Sequence, residues 1–353
     1  MFLEKHRFVA MPPAEFPVFV VDTDKCNGCR RCEQTCPIQL LEVVDKKCRP
    51  NERYDHFRCI SCQNCVATCP ENAISIEGDY RIFKGFWKND HLFVGSKTLP
   101  TFLSKQREPD SAELDEELTE TEKIIINRRS IRLYKKKQVP REMIERVIEA
   151  GRFAPSAGNN QPWKFIVIQD RDVIDEIDKK CKQFCKYVMY GTMPHPWIKK
   201  TAPGNKKARL KFWQKWLIRF LVRFRGAGEM DQRALGGINA IVSDPDYHTF
   251  FKAPTLIILL ADTRGIGSVD LDLGICGQNM VLAAHSMGLG TCYVSLIDGL
   301  MGFPKTKKSL GIEPPFKIIT SLTVGYPKGK IDNVVKREQS RVNWIEPAQT
   351  PEA

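Results

Sequence analysis

Two groups of four cysteines lie close together near the start of this chain of 353 residues. The first group reads C-N-G-C-R-R-C-E-Q-T-C-P and the second reads C-I-S-C-Q-N-C-V-A-T-C-P. Gaps of two residues let the backbone wrap around a metal centre so that its N–H groups point at the sulfurs. The spacing therefore predicts thiolate-bound metal centres, and the cysteines concerned are Cys26, Cys29, Cys32, Cys36, Cys59, Cys62, Cys65 and Cys69.

Iron–sulfur clusters are favoured over structural zinc at these cysteines. A zinc site usually pairs two distant two-cysteine knuckles, whereas here four thiolates are packed together twice with a proline after the fourth. Residues 18–80 resemble the two-cluster bacterial ferredoxins, in which three neighbouring cysteines hold one [4Fe-4S] cluster and the fourth reaches the other. The resemblance implies one cluster on Cys26, Cys29, Cys32 and Cys69 and a second on Cys59, Cys62, Cys65 and Cys36.

The remaining cysteines are expected to have no ligand role. Thirteen cysteines would suit a secreted disulfide scaffold, but the N-terminal stretch MFLEKHRFVAMPPAEF lacks the apolar core of an export signal. We therefore expect a reducing, cytoplasmic location. Cys48 is predicted to be a free thiol, and small packing side chains are predicted at Cys181, Cys185, Cys276 and Cys292.

Changes in composition divide the chain into three parts. Residues 1–100 carry nine of the thirteen cysteines and are predicted to form the ferredoxin-like domain. Residues 101–123 are rich in acidic side chains, which suits a linker or a surface helix opened by Ser111. In residues 124–353 strand and helix patterns alternate, so we expect an α/β or α+β domain there.

Several elements of this third part follow from its periodicity. Pro140 begins a helix with Met143, Ile144, Val147 and Ile148 on one face. Buried strands are predicted at 164–170 and 255–262, and a largely buried helix at 270–288 that Gly288 stops. The segments CYVSL and FKIITSLTVGYP are predicted to be further strands.

Four segments of this part carry groups suited to an anionic, aromatic ligand. N-R-R-S-I-R-L-Y, residues 127–134, places three arginines and a serine near a predicted helix N-terminus, where guanidinium forks and helix amides favour phosphate. A loop at 154–163 is rich in amide and hydroxyl donors, and 288–295 brings backbone close to a neighbour through its glycines. The fourth segment, T-V-G-Y-P-K-G-K, leads to Lys336 and Arg337.

In this order the four segments resemble the nitroreductase family of FMN-dependent oxidoreductases, over residues 124 to about 338. The resemblance implies a mixed-sheet α+β fold and a homodimer with one FMN at each subunit interface. It implies that the phosphate and ribityl chain are held by Arg128, Arg129, Ser130 and Arg132, and that Lys336 or Arg337 closes on the phosphate. The ring would lie among Pro155, Ser156, Asn159, Tyr293, Val294 and Ser295.

Few catalytic side chains are expected, because flavin carries the electrons and the protein supplies position and charge. No general acid is assigned. Asn279 is as consistent with a core-polar role as with a flavin contact, and His285 is expected to be a packed structural histidine. NAD(P)H is a candidate donor although no G-x-G-x-x-G fingerprint is present. The fused clusters favour a soluble ferredoxin as the donor.

A basic, aromatic insertion is predicted at about 179–228. Fourteen of the 54 Lys and Arg residues lie between residues 179 and 225, with no Asp or Glu, in a chain of net charge +12. In the segment 206–226 one helical face is basic and the opposite face carries Trp213, Trp216, Leu217, Phe220, Leu221 and Phe224. This pattern suits a lid helix packed over the flavin or across the dimer, or a helix at the inner surface of a membrane, and one helix could serve both roles. A nucleic-acid role is less favoured, because the segment contains no recognised nucleic-acid-binding module, and no nucleic-acid partner is expected.

These features predict an oxidoreductase that passes electrons from its clusters to FMN. The expected acceptor is a small electrophilic molecule such as a nitroaromatic, a quinone, an activated alkene or a halogenated aromatic. A rival hypothesis is an electron-transfer subunit whose flavin passes electrons to a partner protein, with the basic insertion as the docking face. A third hypothesis reverses the flow, so that the flavin oxidises its substrate and the clusters carry the electrons away.

Overall fold

The structure is a computed structural model, and the ranges it describes are 9–10, 14–55, 57–82, 97–100, 116–192, 212–213, 216–217, 220, 228–229, 232–329, 334–338, 340 and 342–346. The strands in these ranges are β1 (Val9–Ala10), β2 (Ala14–Glu15), β3 (Val18–Val21), β4 (Leu41–Val44), β5 (Lys47–Pro50), β6 (Ile74–Glu77), β7 (Arg81–Ile82), β8 (Lys97–Thr98), β9 (Trp163–Ile168), β10 (Gly228–Glu229), β11 (Thr255–Asp262), β12 (Gly290–Tyr293), β13 (Phe316–Gly325) and β14 (Arg337–Glu338). The helices are α1 (Arg31–Thr35), α2 (Asn64–Thr68), α3 (Glu120–Asn127), α4 (Arg141–Arg152), α5 (Arg171–Thr192), α6 (Gln232–Ser243), α7 (Val269–Ser286) and α8 (Pro304–Ser309).

The N-terminal domain is built from two similar halves. Each half has a short helix, α1 or α2, that follows a residue in the left-handed conformation, Arg30 with φ 62° and Gln63 with φ 55°. The antiparallel pair β3–β6 joins the two ends of the domain, and β4 and β5 form a hairpin between the halves. Short helices and hairpins of this kind bring the loops between them close together.

The β4–β5 hairpin has a two-residue turn. Val44 pairs with Lys47, and the two residues between them, Asp45 and Lys46, have φ values of 48° and 60°. Two consecutive left-handed residues are the signature of a type I′ turn, whose twist matches that of the strands. The turn therefore fixes the register that pairs Cys48 with Val43.

The C-terminal domain is organised around a four-stranded sheet in the order β12-β13-β11-β9, with antiparallel pairing throughout. The central strand β11 is buried on both faces. Ile257, Leu259 and Ala261 belong to the core under α4 and α7, and the alternate residues belong to the core under α5, namely Leu256, Ile258 and Leu260. Period-two alternation sends successive side chains to opposite faces, so an unbroken apolar run is what a strand covered on both sides requires.

The two domains share a hydrophobic core. The N-terminal core contains Phe19, Leu40 and Leu41, and it includes Met189 from α5, which is fully buried. Ile238 and Val242 of α6 are partly buried against the same core. Helices α5 and α6 therefore hold the N-terminal domain against the four-stranded sheet.

Most of the predicted elements are present in the structure. The α+β class is confirmed, β11 covers the predicted residues 255–262, and α4 buries Ile144 and Val147 on its predicted face. Gly288 follows the end of α7 with φ +75°, the left-handed conformation that stops a helix. The strand predicted at CYVSL ends early, because β12 stops at Tyr293 and a 3-10 helix runs from Ser295 to Gly302.

The predicted linker and insertion are described only in part. Helix α3 begins at Glu120, inside the predicted linker, and its N-terminus is closed by a capping box between Thr119 and Glu122. Residues 101–115, with Ser111, lie outside the described ranges, as does most of the segment 206–226. Among the described residues, no helix is both long and apolar enough to cross a membrane.

Candidate iron–sulfur and flavin sites

The eight predicted cluster cysteines line two separate cavities in the N-terminal domain. Cys26, Cys29, Cys32 and Cys69 surround a cavity, hereafter site I, with about 310 Å³ of empty space that includes open solvent. A second cavity, hereafter site II, is surrounded by Cys36, Cys59, Cys62 and Cys65 and has about 390 Å³ of such space. The fourth cysteine of each sequence motif thus faces the cavity of the other motif. This grouping agrees with the ligand sets implied by the resemblance, which remain predictions.

Both cavities suit a cluster better than a single ion. Across the described ranges, no three His, Cys, Asp or Glu side chains converge on a point as the ligands of one ion would. The four thiols of each set instead surround a space, which a cube of iron and sulfur atoms needs. The residues present therefore fit two [4Fe-4S] clusters.

Local backbone geometry directs N–H groups at several of these sulfurs. Leu40 N–H lies 3.4 Å from Cys36 Sγ, and Ala73 N–H lies 3.3 Å from Cys69 Sγ. In each case the acceptor sulfur precedes a proline, and the donor is four residues further along the chain. Such N–H···S contacts help set a cluster's reduction potential.

The predicted phosphate cradle, Arg128, Arg129, Ser130 and Arg132, runs beside the edge strand β12. Ile131 N–H donates to Thr291 O at 2.8 Å, and Ser130 forms a parallel bridge with Thr291. Gly290 permits this close approach, because a Cβ there would lie 2.7 Å from Ile131 Cγ1. The cradle is therefore held at the C-terminal end of α7, where β12 begins.

Two arginines of the cradle have buried nitrogens with no hydrogen-bond acceptor among the described residues. These nitrogens are Nε of Arg128 and Nε and Nη1 of Arg132. Burial lowers the pKa of Arg128, and the nearby Arg337 lowers it further. Buried guanidinium groups of like charge call for an anionic partner. These side chains fit the phosphate of FMN.

The expected position of the cradle at a helix N-terminus is wrong. Helix α3 ends at Asn127 and Arg128 is its C-cap residue, so the arginines follow a C-terminus. The capping box at Thr119 and Glu122 starts the helix earlier than expected. No helix amides point at the cradle from α3, and its cations instead complement the negative end of the α3 dipole.

The predicted ring-contact loop lies at the other end of α7. Gly267, just before α7, comes so close to Ala157 that a Cβ on it would lie 2.6 Å from the Ala157 Cβ. Pro155 and Asn159 in this loop are exposed, and Ser156 Oγ accepts a hydrogen bond from Gln161 N–H at 3.0 Å. Helix α7 has 18 residues, so about 27 Å separates its ends. One chain therefore does not bring Pro155, Ser156 and Asn159 to the cradle.

The remaining predicted flavin contacts lie near the cradle or in the core. Tyr293, the last residue of β12, and Ser295, just after it, are exposed, whereas Val294 is 6% exposed. The Tyr293 hydroxyl rests on α7 at Gly277, where a Cβ would lie 2.7 Å from it. Burial raises the pKa of Tyr293 to about 12. Asn279 is half-buried in α7, and His285 is buried in the same helix, in keeping with a structural role.

Lys336 and Arg337 lie between the cradle and site II. Arg337 begins β14, which pairs with β8 of the N-terminal part. The Lys336 N–H donates to Gln63 Oε1 at 3.2 Å, and Gln63 lines the site II cavity. The segment predicted to close on the flavin phosphate therefore touches the loop that carries Cys62.

Further contacts join the site II loops to the C-terminal domain, and the sequence pattern did not single them out. Tyr247 Oη donates to Pro37 O at 3.3 Å, and the side chain of Gln39 donates to the Asp244 carboxylate. Within the N-terminal part, Lys97 Nζ donates to Ser61 O at 3.0 Å. At site I, Arg31 lies beside Gly329. Contacts between residues so far apart in sequence leave no periodic signal.

Comparison with known proteins gives the same two-part organisation. The nitroreductase family model matches residues 125–326, and the 4Fe-4S dicluster domain model matches residues 25–73. A 4-nitrobenzoate reductase from Nocardioides sp. is 29% identical over 210 residues, 58% of this chain and 78% of that protein. A protein from Archaeoglobus fulgidus is 47% identical over 57 residues, 16% of this chain and 33% of that protein. A nitroreductase from Desulfitobacterium hafniense, crystallised with bound FMN, superposes with a TM-score of 0.44 at 21% identity over 65% of this chain and 100% of that one.

An iron–sulfur domain joined to an α+β domain with a cationic cradle defines a redox protein. The nitroreductase match covers more than half of the chain. The chain therefore belongs to the nitroreductase family of FMN-dependent oxidoreductases, and it carries a 4Fe-4S dicluster domain on its N-terminal side.

Proposed function

We propose that the protein takes electrons from a ferredoxin-like donor through its iron–sulfur domain and uses FMN to reduce a small electrophilic organic acceptor. The observation that carries the proposal is the contact of the site II loops with the C-terminal domain, including the segment predicted to close on the flavin phosphate. Lys336 N–H bonds to Gln63, and Tyr247 and Asp244 contact the residues after Cys36. If the iron–sulfur domain were only attached to the FMN domain by a linker, its cluster-binding loops would not need hydrogen bonds to that domain.

The cradle residues bind and orient the cofactor. Arg128, Arg132 and Arg337 supply cationic donors for the phosphate, and Ser130 supplies a hydroxyl for the phosphate or the ribityl chain. When bound, FMN supplies the conversion of single electrons into a pair. Positive charge and amide donors near the ring favour its anionic reduced form.

A second copy of the chain completes the site in this proposal. The exposed loop with Pro155, Ser156 and Asn159 lies about 27 Å from the cradle along α7. A twofold axis that pairs the loop of one copy with the cradle of the other would place both around one flavin. The homodimer is expected to bind two FMN molecules.

The acceptors proposed are nitroaromatics, quinones, activated alkenes and halogenated aromatics. The Nocardioides relative is named for its reduction of 4-nitrobenzoate, so this compound is the first to test. Its reduction to the nitroso compound consumes two electrons and two protons and releases one water. NAD(P)H is the alternative donor, since the Archaeoglobus relative carries NAD(P)H nitroreductase in its name. The proposed location is the cytoplasm.

The test is an anaerobic mixing experiment on the full chain with its cofactors. Reduced ferredoxin or NADPH is added and the flavin absorbance is followed, and then 4-nitrobenzoate, a quinone or a halogenated aromatic is added. Fast bleaching by ferredoxin, followed by reoxidation on addition of an acceptor, is expected. If no small molecule reoxidises the flavin but a co-purifying protein does, the chain is an electron-transfer subunit and the enzyme proposal fails.

A ligand variant tests the entry route. Cys29→Ser removes one predicted ligand of site I and is expected to slow bleaching by ferredoxin. Cys276→Ser, at a buried thiol of the other domain, is the control. Bleaching of Cys29→Ser by NADPH at the full wild-type rate would show that the clusters are not the obligatory entry route for that donor.

Membrane-surface binding by the segment 206–226 is a second candidate function. Four of its aromatic side chains are exposed, Phe212 at 87%, Trp213 at 59%, Trp216 at 62% and Phe220 at 46%, and the ring centroids of Trp216 and Phe220 stack 5.5 Å apart. Exposed tryptophans in a segment whose sequence predicts a basic helical face suit a lipid interface, and a lipophilic quinone would then be the acceptor. Co-sedimentation with anionic liposomes tests this idea, and no binding would leave the lid role for the segment.

A further inference from the structure

A ninth cysteine lies directly against site I. Cys48 is on β5 and is 4% exposed, and its Sγ is 3.3 Å from Sγ of Cys32, a predicted cluster ligand. Cys48 does not line the site I cavity, although its cross-strand partner Val43 does. Cys48 therefore approaches the ligand sulfur from outside the space that the cluster would fill.

The β4–β5 hairpin positions this thiol through three consecutive residues. Gly28 packs so closely on the turn that a Cβ there would lie 2.6 Å from Lys46 O. Lys47 Nζ donates to Cys26 O at 3.0 Å. The next residue is Cys48, which contacts Cys32. The type I′ turn and these anchors leave little freedom for the Cys48 side chain.

Site II differs in this respect. Among the described residues, the hydrogen bonds recorded to its ligand sulfurs come from N–H groups and not from a thiol. Its ligand sulfurs have other donors, such as Ser61 N–H to Cys59 Sγ at 3.4 Å and Asn64 Nδ2 to Cys62 Sγ at 3.3 Å. At site I, by contrast, the buried thiol of Cys48 lies 3.3 Å from the sulfur of the predicted ligand Cys32.

We propose that the Cys48 thiol donates a hydrogen bond to the sulfur of Cys32, which as a cluster ligand is a thiolate without a proton, and thereby makes the site I cluster easier to reduce. The proposal rests on the proposed iron–sulfur function of site I. A ligand sulfur carries more negative charge in the reduced cluster, so a donor to it stabilises the reduced form and raises the potential. A thiol is a weak donor in water, but a low-dielectric interior strengthens the contact. Cys48 is thus a positioning residue and not a ligand.

The test compares Cys48→Ala with Cys48→Ser in the full chain with its cofactors. Potentials are measured by anaerobic redox titration with electron paramagnetic resonance detection. The Ala variant is expected to show a reduction equilibrium constant for the site I cluster that is lower by up to about tenfold, which is about 59 mV for one electron. The Ser variant keeps a donor and is expected to shift less. Signals of the site II cluster are identified in Cys29→Ser and should not move.

Three results would overturn the proposal. The first is an unchanged site I potential in Cys48→Ala. The second is an equal shift in Cys48→Ala and Cys48→Ser, which would assign the effect to packing. The third is loss of half the iron in both variants, which would make Cys48 a ligand. Cys276→Ala, at a fully buried thiol in the other core, is the control and should shift neither cluster.

The measured reduction potential of the site I cluster does not depend on which organic molecule the flavin reduces. If no organic acceptor reoxidises the flavin, the proposed enzyme function fails while the Cys48 measurement still stands. If the purified protein contains zinc in place of iron, the iron–sulfur function and the role of Cys48 fail together.

Discussion

The backbone N–H of Lys336 donates a hydrogen bond to Gln63 Oε1 at 3.2 Å. Gln63 lies in the loop between Cys62 and Cys65, and Lys336 lies in the segment predicted to close on the flavin phosphate. The bond spans 273 positions of sequence and joins the two proposed redox sites through one loop contact. It makes the geometry of each site depend on the other.

Gln63→Ala is expected to weaken FMN binding, although the residue belongs to the iron–sulfur domain. Lys336 would lose the acceptor that holds its backbone, and a hydrogen bond is worth about 1 kcal/mol, so the affinity should fall about fivefold. Titration of the FMN-free protein by flavin fluorescence measures it. Gln34→Ala, on the exposed side of α1, is the control, and equal affinities in the two variants would refute the coupling.

Arg128→Gln is expected to lower FMN affinity by about tenfold to a hundredfold, the range for a lost hydrogen bond to a charged group. The unfolding free energy of the FMN-free variant should not fall, because Arg128 Nε is buried without an acceptor and burial lowers the Arg128 pKa. Thermal unfolding with and without FMN separates the two effects.

The control for this substitution is Arg152→Gln, because Arg152 is exposed and pairs with Glu149 at 2.6 Å. FMN affinity should be unchanged in that variant. A loss of stability in FMN-free Arg128→Gln would mean that Arg128 has a structural role in place of a binding one.

Gly28→Ala is expected to release the site I loop from the hairpin and lower the iron content. Gly28 has φ +73°, and a Cβ there would also lie 2.6 Å from Lys46 O, so backbone has to shift. Gly78→Ala is a matched control, because Gly78 has φ +72° but its Cβ would meet only Pro17 Cα at 3.9 Å. In both variants alanine must adopt the left-handed backbone conformation, which costs about 1 kcal/mol.

Iron analysis of the two glycine variants is therefore decisive. Loss of about half of the iron is expected in Gly28→Ala alone, since site II does not depend on the hairpin turn. Equal iron loss in both variants would assign the effect to backbone conformation and not to the packing of the hairpin on Gly28.

Tyr247→Phe is expected to loosen the contact between the two domains. The change removes the hydrogen bond from Tyr247 Oη to Pro37 O while keeping the ring, at a cost of about 0.5–1.5 kcal/mol. Hydrogen exchange should become faster at the backbone amides of residues 38–40. Tyr326→Phe loses only a 3.4 Å contact with Met143 Sδ inside one domain and is the control. Unchanged exchange in Tyr247→Phe would contradict the role of this bond.

Patterns that depend on near neighbours were predictable from sequence. The buried strand β11, the apolar face of α4 and the stop of α7 at Gly288 all follow from local periodicity or backbone preference. The position of α3 was also readable, because T-E-T-E at 119–122 is a capping-box pattern. The cradle was instead placed at a helix N-terminus, because its arginines carry no periodic signal.

Cysteine spacing by itself determined that residues 26–69 hold two thiolate centres, since two-residue gaps force the backbone around a bound group. Only the tertiary structure decided that a site II loop contacts Lys336, that Sγ of Cys48 lies 3.3 Å from Sγ of Cys32, and that α7 separates the ring-contact loop from the cradle. The physical reason is the difference in sequence separation between the residues involved. Ligand spacing acts over a few residues, whereas these relationships depend on how α5, α6 and the hairpin pack the two domains together.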